Sequence, residues 1–281
     1  MIAKTCQLSP LLLTKAMKFI SAHFDELSST NDEGLQWLKI AKPDTGFIIT
    51  TDHQINGRGQ RSHSWDQRAA QDLAYSIAMK WPLELDNQPH DPIVFNKLMA
   101  LNLLDMIQQF LPEHREIRIK WPNDVLIKSS IDRTWEKCAG ILIENTWRGN
   151  RWDGVVVGLG INVNSSRHHE LGRTSLRDQG IPEVSLLELR QQMTTSIEQN
   201  LAKPIAQEVI ERRFNENLLS RGKWKSYRFN NLEGLGRIEA VDAHGNLVLD
   251  WKPSEDEPSK SVVVSDSNEL NWDWLLNPLN K

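Results

Sequence analysis

Between Ile117 and Asn164 three strand-like runs, Ile117 to Ile127, Ala139 to Trp147 and Trp152 to Asn164, follow one another in close succession. They are rich in β-branched residues and separated only by a polar loop and a tight Arg148-Gly149-Asn150 turn. Strands joined so closely pair as antiparallel neighbours, because a parallel crossover needs about a dozen or more residues. The order therefore favours an α+β fold over a doubly wound parallel sheet. Further strand-like runs lie at Phe47 to Thr51 and Leu73 to Trp81.

Helical spacing of apolar residues runs from Pro92 to Leu111 and from Leu186 to Leu201, and Pro204 opens a third helix reaching Leu219. Pro10 to Ile20 reads as a short amphipathic helix with Leu12, Ala16, Phe19 and Ile20 on one side. After Ser220-Arg221-Gly222 short strands and turns take over: Gly236 to Val241, a His244-Gly245-Asn246 turn, Leu247 to Trp251, a Pro253 to Lys260 loop, and Val262 to Val264. The expected division is a body over 1–220, with 1–22 as an N-terminal helical extension, and a small β-barrel over 221–281.

A chain of 281 residues accommodates one large and one small unit. Its net charge of −4, with seven basic against ten acidic side chains from Gly222 onward, argues against a broadly basic nucleic-acid surface. Cys6 and Cys138 are too few for a disulfide framework or a four-cysteine zinc site and suit a reducing cytoplasm. No apolar stretch approaches the ~20 residues of a membrane span. No metal-ligand spacing is present, and His168-His169 is a bare pair in a polar stretch.

Five local strings carry the chemistry. Ser29-Thr30-Asn31 precedes a helical stretch and, alone, reads as a helix N-terminus. Gln54 to Trp65, with Gly57-Arg58-Gly59-Gln60-Arg61, gathers backbone N–H groups and guanidinium forks as an anion cradle does. It is neither a Walker loop nor a dinucleotide fingerprint, since no Gly-Lys-Ser/Thr follows and Ser62 stands where a third glycine belongs. In Lys120-Trp121-Pro122-Asn123-Asp124, strand alternation puts Arg118 and Lys120 on one face and Ile117, Ile119 and Trp121 on the other, and Pro122 breaks the strand. Lys137-Cys138-Ala139-Gly140 places a lysine beside small residues that admit a ligand to the backbone. Gly154 to Asn164 reads as a central strand with a bulge.

Taken in order, Ser-Ser-Thr-Asn, Gly-Arg-Gly with Trp65 six residues on, Lys-Trp-Pro-Asn-Asp, Lys-x-x-Gly-Ile-Leu-x-Glu and Gly-x-Gly-Ile-Asn-Val-Asn resemble the biotin protein ligases. The resemblance runs from about residue 22 through Thr174-Ser175-Leu176 into the β appendix. It implies a mixed sheet with helices like that of class II aminoacyl-tRNA synthetases, followed by an SH3-like barrel. It also implies ATP and biotin as substrates with Mg²⁺, biotinyl-5′-AMP as intermediate, and the biotin carboxyl carrier protein of acetyl-CoA carboxylase as acceptor. No nucleic-acid or membrane partner is implied, and relatives occur as monomer or homodimer.

Carried over residue by residue, the resemblance makes Lys137, Arg58 and Asp124 catalytic, with Asp124 orienting or deprotonating the incoming lysine. Biotin falls to Ser29, Thr30, Asn31, Gln54, Gly57, Gly140, Leu142 and Gly158. The adenylate falls to Gly59, Gln60, Arg61, His63, Trp65, Lys120, Asn123 and Asn162. Many members carry arginine at the position of Gln60, glycine at Ser62 and arginine or asparagine at His63. Loss of that guanidinium implies a looser hold on the adenylate, unless Arg61 compensates. The residues before the first motif cannot hold a helix-turn-helix, so a ligase without operator binding is expected. A lipoate ligase and a non-catalytic biotin-binding regulator are the alternatives. Of eleven tryptophans, only Trp65 and Trp121 gain a functional reading, and the cluster at Trp272 and Trp274 reads as packing.

Overall fold

The computed structural model describes residues 18–42, 45–80, 91–167, 170, 172–202, 205–272 and 275. His168, His169, Pro204, Cys6, Trp274 and most of the expected Pro10 to Ile20 helix lie outside them. A seven-stranded mixed sheet has the order β1-β2-β3-β7-β6-β5-β4. Its strands are β1 (Lys18–Leu27), β2 (Thr45–Gln54), β3 (Leu73–Lys80), β4 (Ile117–Lys120), β5 (Asp124–Lys128), β6 (Trp135–Arg148) and β7 (Arg151–Ile161). Only β1 and β2 pair in parallel, joined through helix α1 (Thr30–Leu38), while β5, β6 and β7 form the antiparallel meander that their spacing requires.

The N-terminal helical extension needs correction. Phe19 and Ile20 belong to β1, in register with Gly46 and Phe47 of β2. A short apolar run fits helix and strand periods alike, and backbone pairing along β2 decides for the strand. The third helix also differs: α4 covers Gln207–Glu216, and Asn217 to Leu219 instead run beside edge strand β4, where Ile119 N donates to Asn217 O and Leu219 N donates to Ile119 O. That segment covers backbone groups an edge strand would otherwise leave open.

Helix α1 packs on one face of the sheet, where Gly34 permits contact with Val156 and Ala78. The other face is covered by α2 (Pro92–Gln108), α3 (Leu186–Ala202) and α4, over a core including Tyr75, Phe95, Leu101 and Val157. Asp91 caps α2, its carboxylate accepting from Ile93 N at 2.7 Å, with Pro92 next to it at the first turn. Among the described residues no helix is long and apolar enough to cross a membrane.

The C-terminal part is a five-stranded antiparallel sheet, order β11-β10-β9-β8-β12, from β8 (Trp224–Phe229), β9 (Leu232–Val241), β10 (Leu247–Lys252), β11 (Lys260–Val264) and β12 (Leu270–Asn271). Two side chains of the large sheet layer bind its 241–246 turn by backbone carbonyls. The buried Lys97 amine of α2 donates to Asp242 O at 2.9 Å, and Trp121 Nε1 donates to Gly245 O at 2.9 Å. Trp121 thus acquires a joining role beside the Pro122 break, whose Trp121–Pro122 peptide is cis.

Candidate active site

One cavity of about 720 Å³ opens at the ends of β5, β6 and β7, and every residue the resemblance assigned to catalysis, biotin or the adenylate except Gly57 lines it, while Trp121 does not. Gly57 serves the loop instead. A Cβ there would lie 2.3 Å from Trp65 O, and Gly57 O accepts from Trp65 N at 2.8 Å, closing the excursion from 57 to 65.

On one side the start of α1 is a buried polar cluster. Ser29 caps the helix through Asp32 N, and Thr30 donates from both its N–H (2.9 Å) and its hydroxyl (3.1 Å) to Gln54 Oε1. Ser76 Oγ lies 2.7 Å from both Thr30 Oγ1 and Asn31 Oδ1, and Asn31 Nδ2 donates to Glu144 Oε2 at 2.9 Å. Buried polar groups so fully paired hold one geometry. The helix cap at Ser29 therefore sits on the cavity wall.

The expected bulge between Gly154 and Asn164 is absent from the stretch containing Gly158 and Gly160. Both stay in regular register with β3 and β6, and the shift falls at Thr146/Trp147. The glycines answer to close approach: a Cβ on Gly158 would sit 2.1 Å from Asn31 Oδ1, and one on Gly160 2.3 Å from Trp65 Cε2. The Trp65 indole accordingly lies on the strand floor, its Nε1 buried without a hydrogen-bond partner. Lys137 Nζ stands 5.5 Å from its ring centroid.

Lys137 and Asp124 form an ion pair at 2.6 Å, brought together by the β5–β6 pairing. The Asn123 side chain pins the turn before them, donating to Ile141 O at 2.6 Å. Arg58 is bound by two carboxylates, Asp32 at 2.7 Å and Glu144 at 2.8 Å. Arg61, in the left-handed region at φ 53°, lines the cavity beside Gln60 and pairs with Asp266 of the C-terminal part at 2.5 Å. His63 is exposed, with Nδ1 2.9 Å from Gln60 O. Asn162 is buried, and its amide donates to Thr174 O at 2.9 Å. Burial pushes the Lys120 amine below its ordinary pKa, against Asp124, which raises it, and with Lys137, which lowers it further. Burial likewise pushes the Cys138 thiol up and leaves it un-ionised and inert.

Sequence reasoning missed Arg173 and the C-terminal wall. Arg173 sits beside Lys137 in a backbone bridge and pairs with Glu170 at 3.0 Å. Glu170 and Asp66 in turn bind the fully buried Arg167, together with Asp72. The C-terminal wall comprises Ser267, Asn268, Leu270, Asn271, Trp272 and Leu275. Its only sequence signal was the density of tryptophan near the end of the chain. Among the described residues no group of three or more His, Cys, Asp or Glu is placed to hold a metal.

A family profile described as the biotin/lipoate A/B protein ligase family matches residues 24–162. The bifunctional ligase/repressor BirA of Bacillus subtilis is 29% identical over 153 residues, which are 54% of this chain and 43% of that protein. The biotin–[acetyl-CoA-carboxylase] ligase of Paracoccus denitrificans is 28% identical over 138 residues, 49% of this chain and 53% of that one. The chain thus spans about half the length of these curated relatives. Among solved structures, biotin protein ligase from Aquifex aeolicus, in complex with biotin and ATP, is 20% identical, with a TM-score of 0.63 over 90% of this chain and 97% of that chain. That likeness speaks for the fold alone.

Proposed function

We propose that the chain, whose residues 24–162 match the profile of the biotin/lipoate A/B protein ligase family, activates biotin as biotinyl-5′-AMP and transfers it to a lysine of a biotin carboxyl carrier domain, in the cytoplasm. The observation that carries this reading is the meeting of all five sequence strings around one cavity, with Lys137 and Asp124 at 2.6 Å where they converge.

In the first step a biotin carboxylate oxygen attacks the α-phosphorus of ATP, and pyrophosphate leaves. Two anions must approach one another, so the barrier is chiefly one of charge and placement. Lys137, Lys120 and Arg58 supply the opposing charge, and the buried cluster of Thr30, Asn31 and Gln54 orients the biotin ring system. The unpartnered Trp65 N–H is a buried donor that an acceptor on the adenylate satisfies. In the second step the carrier lysine amine attacks the mixed-anhydride carbonyl and AMP departs. Asp124, released from Lys137 as that amine turns to the phosphate, takes the proton. Mg²⁺ is read as arriving on the nucleotide phosphates, which commonly hold it with few protein ligands.

Incubation with ATP, biotin and a carrier domain tests the proposal. Wild type labels the carrier, and Lys137→Ala reduces transfer about 100- to 1,000-fold, the usual size for losing a group that stabilises developing charge. Unchanged transfer by the variant overturns the assignment. The matched family covers lipoate as well as biotin ligases, so lipoate-dependent pyrophosphate release exceeding the biotin-dependent rate would move the substrate to lipoate. Biotin binding without transfer by wild type would make the chain a regulator.

A further inference from the structure

We propose that Trp272 is a positioning residue for Lys120, and that the two form a nucleotide-holding element to which the C-terminal sheet contributes the aromatic half. The proposal rests on the ATP-dependent reading of the cavity. Lys120 ends β4 and Trp272 follows β12, and both line the cavity. The Lys120 amine stands 5.4 Å from the Trp272 ring centroid. The indole is itself fixed: it is 7% exposed and packs edge-on against Tyr227 of β8, with centroids 5.3 Å apart at 82°. Pairing of β12 with β8 sets the backbone that carries it.

What separates Lys120 from the other cations of the cavity is that an aromatic ring holds it without a paired carboxylate; Lys137 also faces a ring, Trp65 at 5.5 Å, but is ion-paired as well. Arg58 is held by Asp32 at 2.7 Å, Arg61 by Asp266 at 2.5 Å, Lys137 by Asp124 at 2.6 Å and Arg173 by Glu170 at 3.0 Å. Among the described residues no carboxylate stands within ion-pair distance of the Lys120 amine, 5.4 Å above an aromatic face. A carboxylate holds a cation by neutralising it, whereas a ring quadrupole attracts it and leaves its net charge intact. An incoming polyphosphate must displace a paired carboxylate to engage the first four, whereas at Lys120 it meets only the longer-range attraction of Asp124. Tryptophan, with the strongest π face, serves this best.

The test is a double-mutant cycle in biotin-dependent ATP–pyrophosphate exchange, with melting temperature as a fold control. Lys120→Met raises the KM for ATP about ten-fold and Trp272→Leu about three- to five-fold, the range of a partly desolvated cation–π contact. The KM for biotin stays within about twofold of wild type, and the double variant stays within about twofold of Lys120→Met, because Trp272 acts through that amine. Multiplying effects in the double variant, or equal rises in both KM values, overturn the proposal. Should Trp272→Leu lose its fold, Trp272→Phe decides: an intermediate KM for ATP supports the pairing, and the wild-type value overturns it. A wild-type chain whose exchange is no faster with biotin refutes the ligase reading instead, and equilibrium dialysis with ATP alone then reads the same cycle.

Discussion

The two walls of the cavity are built by different means. The wall of β5, β6 and β7 is placed by strand register: once Asp124 pairs with Gly140, and Gly140 with Gly160, the positions of Lys137 and the glycine floor follow. The wall carrying Trp272 is placed by a handful of long-range bonds, Lys97 to Asp242 O, Trp121 to Gly245 O and Arg61 to Asp266. Register is cooperative and rigid, so changes in the first wall act on chemistry. Isolated bonds are separable, so changes in the second wall act on affinity and stability, each by the strength of the bond it removes.

The sharpest way to break that contrast is Gly160→Ala. Its Cβ would fall 2.3 Å from the Trp65 ring, and displacing the indole by about an ångström is expected to lower kcat/KM about 100-fold. Carrier biotinylation measures it, and a loss smaller than that of any C-terminal variant would reverse the comparison. Next comes Trp121→Phe, which removes the N–H bonded to Gly245 O. Global stability in urea should fall by about 1–3 kcal/mol, the cost of an orphaned part-buried carbonyl plus a smaller ring, with kcat far less affected.

These two positions also show what the sequence disclosed. The meander was legible because closely spaced strands have few ways to pair, and Lys137 and Asp124 were legible because register carries local spacing into space. Gly158 and Gly160 were only half legible: a strand glycine signals either a bulge or a close neighbour, and the neighbours, Asn31 and Trp65, come from remote segments. Phe19 and Ile20 were misread because their partner β2 is what makes them a strand. Trp272 was illegible as a site residue, since nothing periodic connects it with Lys120. The ion pair of Arg61 was illegible for the same reason, its partner Asp266 lying in the other sheet layer.

Smaller effects sharpen the contrast further. With Arg61 held by Asp266, Gln60→Arg should tighten adenylate retention and cut stray labelling of bystander lysines a few-fold, about 1 kcal/mol of affinity. Stray labelling by wild type no higher than by the variant would count against a looser hold. The smallest change expected is Asp266→Asn, which breaks a half-exposed ion pair with Arg61 and should shift unfolding by less than about 1 kcal/mol, less still in high salt. A larger shift would mean that the second wall is held cooperatively after all.

The joint at the 241–246 turn has a one-sided grammar. Lys97 and Trp121 both donate to main-chain oxygens, so what they read in the opposite sheet is the path of the backbone and not the identity of its side chains. Asp242, which accepts from His244 N and Asn246 N, and Gly245, at φ +84°, are needed to make that path. His244 is not. A lineage of such chains could therefore rewrite most of this turn while the large sheet kept the same two anchoring residues, and a C-terminal unit from a distant relative should graft onto this body if its turn has the same shape.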